Sequence, residues 1–323
     1  MDTLPLVSVI CLCYNQAKFV HESLSSVLEQ DYKNIELIIV DDASTDNSQE
    51  VINRFLVEHA NILFIPLEKN KGNCTAFNRG LFHANGKYVI DLAADDVLLP
   101  NRISKQVNSF EKLSLNYGVI FSDALMIDQY GKGLKTFYKR DKDGKLIKEV
   151  PSGNIYQALI EKMVVCSPTM MIRKAVLDEL GGYDESLSYE DYDFWVRSSR
   201  SYHYFFLDEI LTKKRILPNS QSQQFYKIKN NKHLASTLEV CQKAKNLNQN
   251  ESENNALAIS VRYHLKLSVL TENFKLALDY FNFLVSFQSP TIQDWLLFRL
   301  TKMQMKVGAF YKLYLKYVRG FNF

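Results

Sequence analysis

The chain has 323 residues, 46% of them hydrophobic and 23% charged, which excludes collagen-like, disordered and disulfide-scaffold classes. Lys and Arg number 39 against 36 Asp and Glu, so the net charge of +3 is too small to argue for a nucleic-acid binder. At roughly 150 residues per domain, about two domains are expected. The first residues, MDTLPLVSVICLCYNQ, place an Asp and no basic residue before a short apolar run. They read as a core strand and not as a signal peptide. No stretch of 18 apolar residues occurs, so no membrane-spanning helix is expected. Five cysteines without a repeated spacing read as buried thiols in a reducing compartment.

Leu6 to Cys13 is almost continuously apolar, the pattern of a strand covered on both faces. Val20, Leu24, Val27 and Leu28 follow at helical spacing. Ile35 to Val40 is a second strand, and Asp42 to Asp46 supplies turn and cap residues. Val51, Ile52, Phe55 and Leu56 form the next helix face. Ile62 to Ile65, Phe77 to Ala84 and Tyr88 to Leu92 continue as strand, helix, strand. Such alternation predicts right-handed crossovers and a mostly parallel sheet. Ligands bind beyond the carboxyl ends of such strands, so Tyr14-Asn15, Asp41-Asp42 and Ala94-Asp95-Asp96 should share one crevice. No glycine follows the first strand and no Gly-Lys pair is followed by Ser or Thr, which excludes a dinucleotide fingerprint and a P-loop. A nucleotide would be held here by carboxylates acting through a metal. Paired carboxylates at Asp95-Asp96 suit Mg²⁺ or Mn²⁺ bridging phosphates. Asp123 and the run Glu190-Asp191-Tyr192-Asp193 are further acidic features. Lys135 to Lys148 reads as a solvated hairpin or loop. Beyond about residue 223 strand patterns stop, and 256–270 with 274–285 read as an antiparallel helix pair.

Four segments resemble, in order and spacing, family 2 nucleotide-sugar glycosyltransferases of the GT-A fold: Val7 to Ser48, Asn70 to Ile103, Phe121 to Lys132 and Gly181 to Arg200. The resemblance implies a GT-A α/β domain with flanking helices over residues 1–222, followed by a smaller helical domain over 223–323. It implies an inverting, metal-dependent, hexosyltransferase-like enzyme with Mg²⁺ or Mn²⁺. The donor would be a nucleoside diphosphate sugar, UDP-linked by expectation. The acceptor would be a hydroxyl of a growing cell-surface glycan or lipid-linked oligosaccharide, as in capsule or lipopolysaccharide synthesis. Tyr14, Asn15, Asp41, Asp42 and Asp96 fall where the family binds the donor, and Asp95 on the last position of its DxD metal motif. Asp191 falls on the general base, with Gly181, Gly182, Glu190 and Trp195 in the acceptor loop. The residues themselves favour Trp195 as a core residue over an acceptor platform, because Phe194 and Val196 flank it in an apolar stretch.

Three positions depart from the family pattern. Ala93 replaces the first carboxylate of DxD, Phe77 replaces a common arginine, and Leu217 replaces a common histidine. They support an alternative class, a catalytically weakened scaffold in a polysaccharide pathway. A cytoplasmic protein is expected. Its last segment, 295–323, carries six Lys or Arg, no acid and eight aromatics. That segment reads either as a peripheral contact with the inner face of an anionic plasma membrane or as an ordinary packed helix.

Overall fold

The computed structural model describes residues 4–189, 191–217 and 221–319. They form two compact units, Met1–Ile155 with Val164–Ile216, and Tyr156–Met163 with Leu217–Phe323. The second unit thus includes a short stretch that lies inside the first in sequence.

In the first unit β1 (Val7–Cys13) is buried at every position except Leu12. It runs parallel to β2 (Ile35–Asp41) on one side and β4 (Tyr88–Ala93) on the other, and β3 (Leu63–Pro66) extends the sheet beyond β2. The crossovers are α1 (Val20–Leu28), α2 (Ser48–Glu58) and α3 (Asn73–His83). This is the alternation expected from the apolar runs. Burial on both faces explains why the strands read as apolar blocks and not as alternating residues. Val9, Cys11, Leu24, Val27, Ile39 and Ile90 belong to one core beneath α1.

The rest of the sheet is mixed. After β5 (Val97–Leu98) and α4 (Arg102–Phe110) come β6 (Tyr117–Ile127) and β7 (Gly133–Thr136). Then follow α5 (Tyr156–Glu161), β8 (Met171–Arg173), α6 (Lys174–Leu180), α7 (Asp191–Ser199) and β9 (His203–Arg215). β8 sits antiparallel between β4 and β6, β9 is parallel to β6, and β5 closes that edge antiparallel to β9. The strand order is β3-β2-β1-β4-β8-β6-β9-β5, with β7 paired to β6.

Two buried charges organise this half. The Arg102 guanidinium donates to the carbonyls of Pro168 (2.7 Å) and Met170 (2.9 Å), to Thr212 Oγ1 (2.9 Å) and to Gln106 Oε1 (3.1 Å). It thereby joins α4, the 3₁₀ turn Ser167–Thr169 and β9. Asp123 is not a solvent-facing site acid. Its carboxylate is buried and paired at 2.8 Å with Arg140 Nε, which anchors the 133–148 hairpin.

The second unit is helical. It comprises α5, α8 (Gln221–Gln224), α9 (Lys232–Leu247), α10 (Glu251–Leu270), α11 (Phe274–Val285), α12 (Ile292–Lys302) and α13 (Gly308–Arg319). The side chains of Asn231 and Asn250 cap α9 and α10, and Thr291 with Asp294 forms a capping box on α12. The Tyr280 hydroxyl donates to the Leu234 carbonyl (2.7 Å), and Tyr156 on α5 donates to Ala244 (3.1 Å) and Asn248 (2.8 Å).

Candidate active site

The loops after β1, β2 and β4 leave the sheet at one level. Cys13 is in register with Asp41 and Leu12 with Ala93. The Asp42 N–H donates to the Cys13 carbonyl (2.8 Å) and the Ala94 N–H to the Leu12 carbonyl (2.9 Å). Tyr14 is exposed at this rim. Asn15 adopts φ +55°, a conformation asparagine tolerates better than most residues. Its Oδ1 accepts from the Thr45 N–H (2.7 Å) and its own N–H donates to Ser44 Oγ (2.9 Å), so it clasps the loop after β2.

Asp41 and Asp42 do different work. Buried Asp41 spends its carboxylate on its own loop, accepting from Ser44 N–H (2.9 Å), Ser44 Oγ (2.5 Å) and Gln49 Nε2 (2.7 Å). Asp42 reaches across to the approach of α3. Its two oxygens accept from the N–H groups of Lys71 (2.6 Å) and Gly72 (2.8 Å). Burial raises its pKa against these two hydrogen bonds.

Asp95 and Asp96 are held by the end of β9. The Arg215 N–H donates to Asp96 Oδ1 (2.8 Å), and Arg215 Nε donates to the Asp95 carbonyl (2.9 Å). The same guanidinium pairs with Glu22 on α1 (2.6 Å) and lies over the Phe19 ring. This clamp leaves the Asp95 carboxylate out of its contacts. Next to it in β9 is Lys214. Burial alone would lower the ammonium pKa, but Cys166, Asp96, Asp191 and Asp95 outweigh it and raise the pKa overall. Lys214 therefore carries its charge near Asp95, Asp96 and Asp191, the residues expected at the metal, the donor and the base. Sequence reasoning missed it, because a lysine in a KKR run looks like solvated surface.

Asp191 opens α7, and its Oδ1 accepts from the Tyr192 N–H (2.8 Å). Burial raises its pKa, while Lys214, the Tyr192 N–H and Ser167 hold it down. A second acid, Asp91 on β4, was also missed, although it interrupts the apolar run YVIDLA. It lies two residues before Ala93 and so on the same strand face. Tyr183 donates to its Oδ2 (3.2 Å), and the Tyr183 ring stacks on Phe77 at 4.1 Å. Phe77, where the family often has arginine, is thus a buried aromatic that fixes the hydroxyl facing Asp91.

Gly181 and Gly182, expected in the acceptor loop, take φ +71° and +75° and close the end of α6, conformations that disfavour a side chain. The turn is braced: Asn78 Oδ1 accepts from the Tyr183 N–H (2.9 Å), and Arg197 donates to the carbonyls of Leu180 and Gly182 (both 2.9 Å). Trp195 is buried on α7 with its indole N–H on the Met170 sulfur (3.1 Å), so its ring offers no open face to a sugar. Asp193 pairs with Arg197 at 2.7 Å and belongs to the same brace. Glu190 lies outside the described residues. Leu217 falls in the second unit, and its hydrocarbon side chain has no donor atom for a metal or phosphate.

The crowding of acids has a thermodynamic consequence. Burial pushes Asp91 from the ordinary 3.8 up to about 7, opposed by the Tyr183 hydrogen bond and reinforced by the charge on Asp191. A carboxyl whose folded pKa is raised stabilises the fold while protonated. That contribution is complete below about pH 4 and disappears as pH rises to about 7. Melting temperature measured across this window should therefore fall less steeply for Asp91→Asn than for wild type. Parallel curves for the two proteins would remove Asp91 from this account.

A divalent cation fits this site only in company. Among the described residues no three His, Cys, Asp or Glu side chains are gathered as a cage. Ala93 contributes a methyl group, Lys214 adds a like charge, and Asp95 supplies the available carboxylate. Mg²⁺ and Mn²⁺ are commonly held by one or two carboxylates together with substrate phosphates and water, which is the donor set available here.

Comparison with known proteins agrees with the geometry. The profile of Glycosyl transferase family 2 matches residues 8–181. An uncharacterized glycosyltransferase of Methanocaldococcus jannaschii is 34% identical over 219 residues, 67% of this chain and 72% of that protein. One of Rickettsia prowazekii is 33% identical over 213 residues, 66% of this chain, but the match spans only 64% of that relative's length. Crystalline S. aureus TarS 1-349 in complex with UDP-GlcNAc superposes with a TM-score of 0.67 at 16% identity, covering 98% of this chain and 92% of that one. The mannosyltransferase PcManGT from Pyrobaculum calidifontis, in complex with GDP-Man and Mn²⁺, gives 0.58 at 15% identity, covering 98% and 89%. The architecture is the GT-A fold of these enzymes, and the chain belongs to glycosyl transferase family 2.

Proposed function

We propose that the protein is an inverting glycosyltransferase that moves a sugar from a nucleoside diphosphate, UDP by preference, to a hydroxyl of a growing cell-surface glycan or lipid-linked oligosaccharide. The observation that carries this reading is the placement of Asp191. It is a half-buried carboxylate at the start of a helix, its pKa raised by desolvation, and the charge of Lys214 relates it to the Asp95-Asp96 turn. One in-line displacement at the anomeric carbon needs one base at the acceptor and a site for the departing diphosphate. Asp191 takes the acceptor proton as the new C–O bond forms and the bond to the β-phosphate breaks. The Lys214 ammonium faces the charge that develops on the diphosphate. Asp95 would hold a Mg²⁺ or Mn²⁺ ion, which supplies further positive charge to the leaving group. Asp96, Asp42, Asp41, Tyr14 and Asn15 form the donor side. A UDP-sugar is favoured by analogy with the TarS complex.

Ala93 favours the second reading, a scaffold that keeps the fold but has lost turnover. Thermal shift with a panel of nucleotides and nucleotide sugars, with and without Mn²⁺, tests the donor reading. Ligand that binds the folded state raises apparent stability, by about 2.7 kcal/mol at a hundredfold excess over Kd. UDP and one UDP-sugar should raise the melting temperature. No shift with any nucleotide would overturn the enzyme reading, and binding without donor hydrolysis or transfer would select the scaffold.

A further inference from the structure

A helix of a globular protein turns its apolar stripe inward. In α13 this is reversed. Phe310, Leu313, Tyr314 and Tyr317 stand at i, i+3, i+4 and i+7, one face of the helix, and they are exposed, Phe310 to 76% and Tyr317 to 75%. The buried residues of this helix among those described are Gly308 and Leu315, on the other side. On α12, Phe298 and Trp295 pack on Phe281 of α11 at 4.5 and 5.1 Å, so that helix is anchored. Yet Ile292 and Leu296 remain exposed on it, at i and i+4, as does Met303 just past its end. Of the two readings of the tail, ordinary packing does not account for these faces.

Charge identifies the occupant. From 295 to 323 there are Arg299, Lys302, Lys306, Lys312, Lys316 and Arg319 and no acid. A second copy applied to the same face would bring like charges together. A helix of 12 residues is about 18 Å long, too short to cross a bilayer, and no helix among the described residues is long and apolar enough to do so. Aromatic and aliphatic side chains beside lysines suit the headgroup layer, where rings sit at the interface and ammonium groups reach lipid phosphates.

We propose that the exposed faces of α12 and α13 form a docking surface for an anionic lipid bilayer, with Phe310, Leu313, Tyr314 and Tyr317 entering the headgroup layer and Lys306 and Lys316 contacting lipid phosphates. The surface would hold the enzyme where a lipid-linked acceptor is found. The docking itself stands apart from the assigned reaction, because it uses no residue of the first unit.

The test is flotation of the full chain with vesicles of phosphatidylcholine alone and of phosphatidylcholine with phosphatidylglycerol, at low and high salt. Wild type should float with the anionic vesicles, release at high salt and ignore the neutral ones. Each lysine at an anionic surface contributes about fivefold, so Lys306→Glu and Lys316→Glu together should weaken partitioning by at least about twentyfold. Phe310→Ser with Leu313→Ser and Tyr317→Ser should weaken it by more than about tenfold. These side chains are exposed, so the melting temperature and its nucleotide-induced shift should be unchanged, which separates this result from the donor reading. Wild type that stays out of anionic vesicles at low salt would overturn the proposal. So would equal binding by the serine variant, or a wild-type dimer that the serine variant abolishes without lipid binding.

Discussion

Asp191→Asn should stop transfer while leaving the donor bound. An alcohol is a poor nucleophile near neutral pH, so its proton must leave as the bond to the anomeric carbon forms. A carboxylate can accept that proton, and an amide of the same shape cannot, a loss of about 10²–10⁴-fold in rate. The structure sharpens the choice within the EDYD run. Asp193 is buried against Arg197, which in turn holds the Leu180 and Gly182 carbonyls, so Asp193→Asn should weaken the fold without selectively removing chemistry. Asp191 has the electrostatics of a base that can be charged and still hold a proton: burial raises its pKa, and Lys214 limits the rise. The ionised form is the active one, so kcat/KM should increase with pH through the Asp191 pKa, and this limb should vanish in Asp191→Asn. Turnover is measured with the true acceptor, or as donor hydrolysis without one, for Glu190→Gln, Asp191→Asn and Asp193→Asn. Near-wild-type turnover in Asp191→Asn, with Glu190→Gln inactive, would move the base to Glu190.

The parts of the molecule legible in the sequence are those whose physics is local. Strands covered on both faces are continuous apolar runs, so β1, β2 and β4 could be placed from Leu6, Ile35 and Tyr88 onward, against observed starts at Val7, Ile35 and Tyr88, and with them the level at which their loops emerge. The acids at 41–42 and 95–96 follow from that register. The mixed half of the sheet was not legible. β8 is three residues long, and β9 reads HYFFLDEILTKKR, with charges scattered through a strand that shares its sheet with β6 and β5. Pairings set by contacts distant in sequence leave no period in the strand itself. The same distance hid Lys214, Arg215 and Arg102. Each is an ordinary cation in its own segment and meets its partners only through residues about 20 to 190 positions away. Phe77 was legible as a departure but not as a partner, because its stack with Tyr183 joins residues far apart in sequence. The apolar face of α13 was visible in composition, but its direction, outward, required the fold.

Asp95→Ala should abolish the coupling between metal and nucleoside diphosphate and leave the rest of the site standing. The hydrogen bond that ties residue 95 to Arg215 uses the main-chain carbonyl, which alanine retains. Asp96→Ala would be less clean, because the Asp96 carboxylate itself accepts the Arg215 N–H. With Ala93 in the first motif position and Lys214 close by, the free protein has little to offer a dication. A diphosphate supplies the missing oxygens and negative charge. Metal and nucleotide should therefore bind each other's complex more tightly than the free protein, and by the same factor in both directions, since coupling between two ligands is reciprocal. A factor of about 5–150 is the usual range for such coupling. Calorimetric titration of UDP with and without Mn²⁺, and of Mn²⁺ with and without UDP, measures it twice in wild type. In Asp95→Ala the factor should fall to about one, while UDP still binds through Lys214 and the rim of Asp42, Tyr14 and Asn15 at the metal-free affinity. A mutant that keeps the wild-type factor would take the metal away from Asp95. A wild type whose two titrations show no coupling would mean that Lys214 alone meets the charge of the diphosphate, and the ammonium would then take the part assigned to the ion.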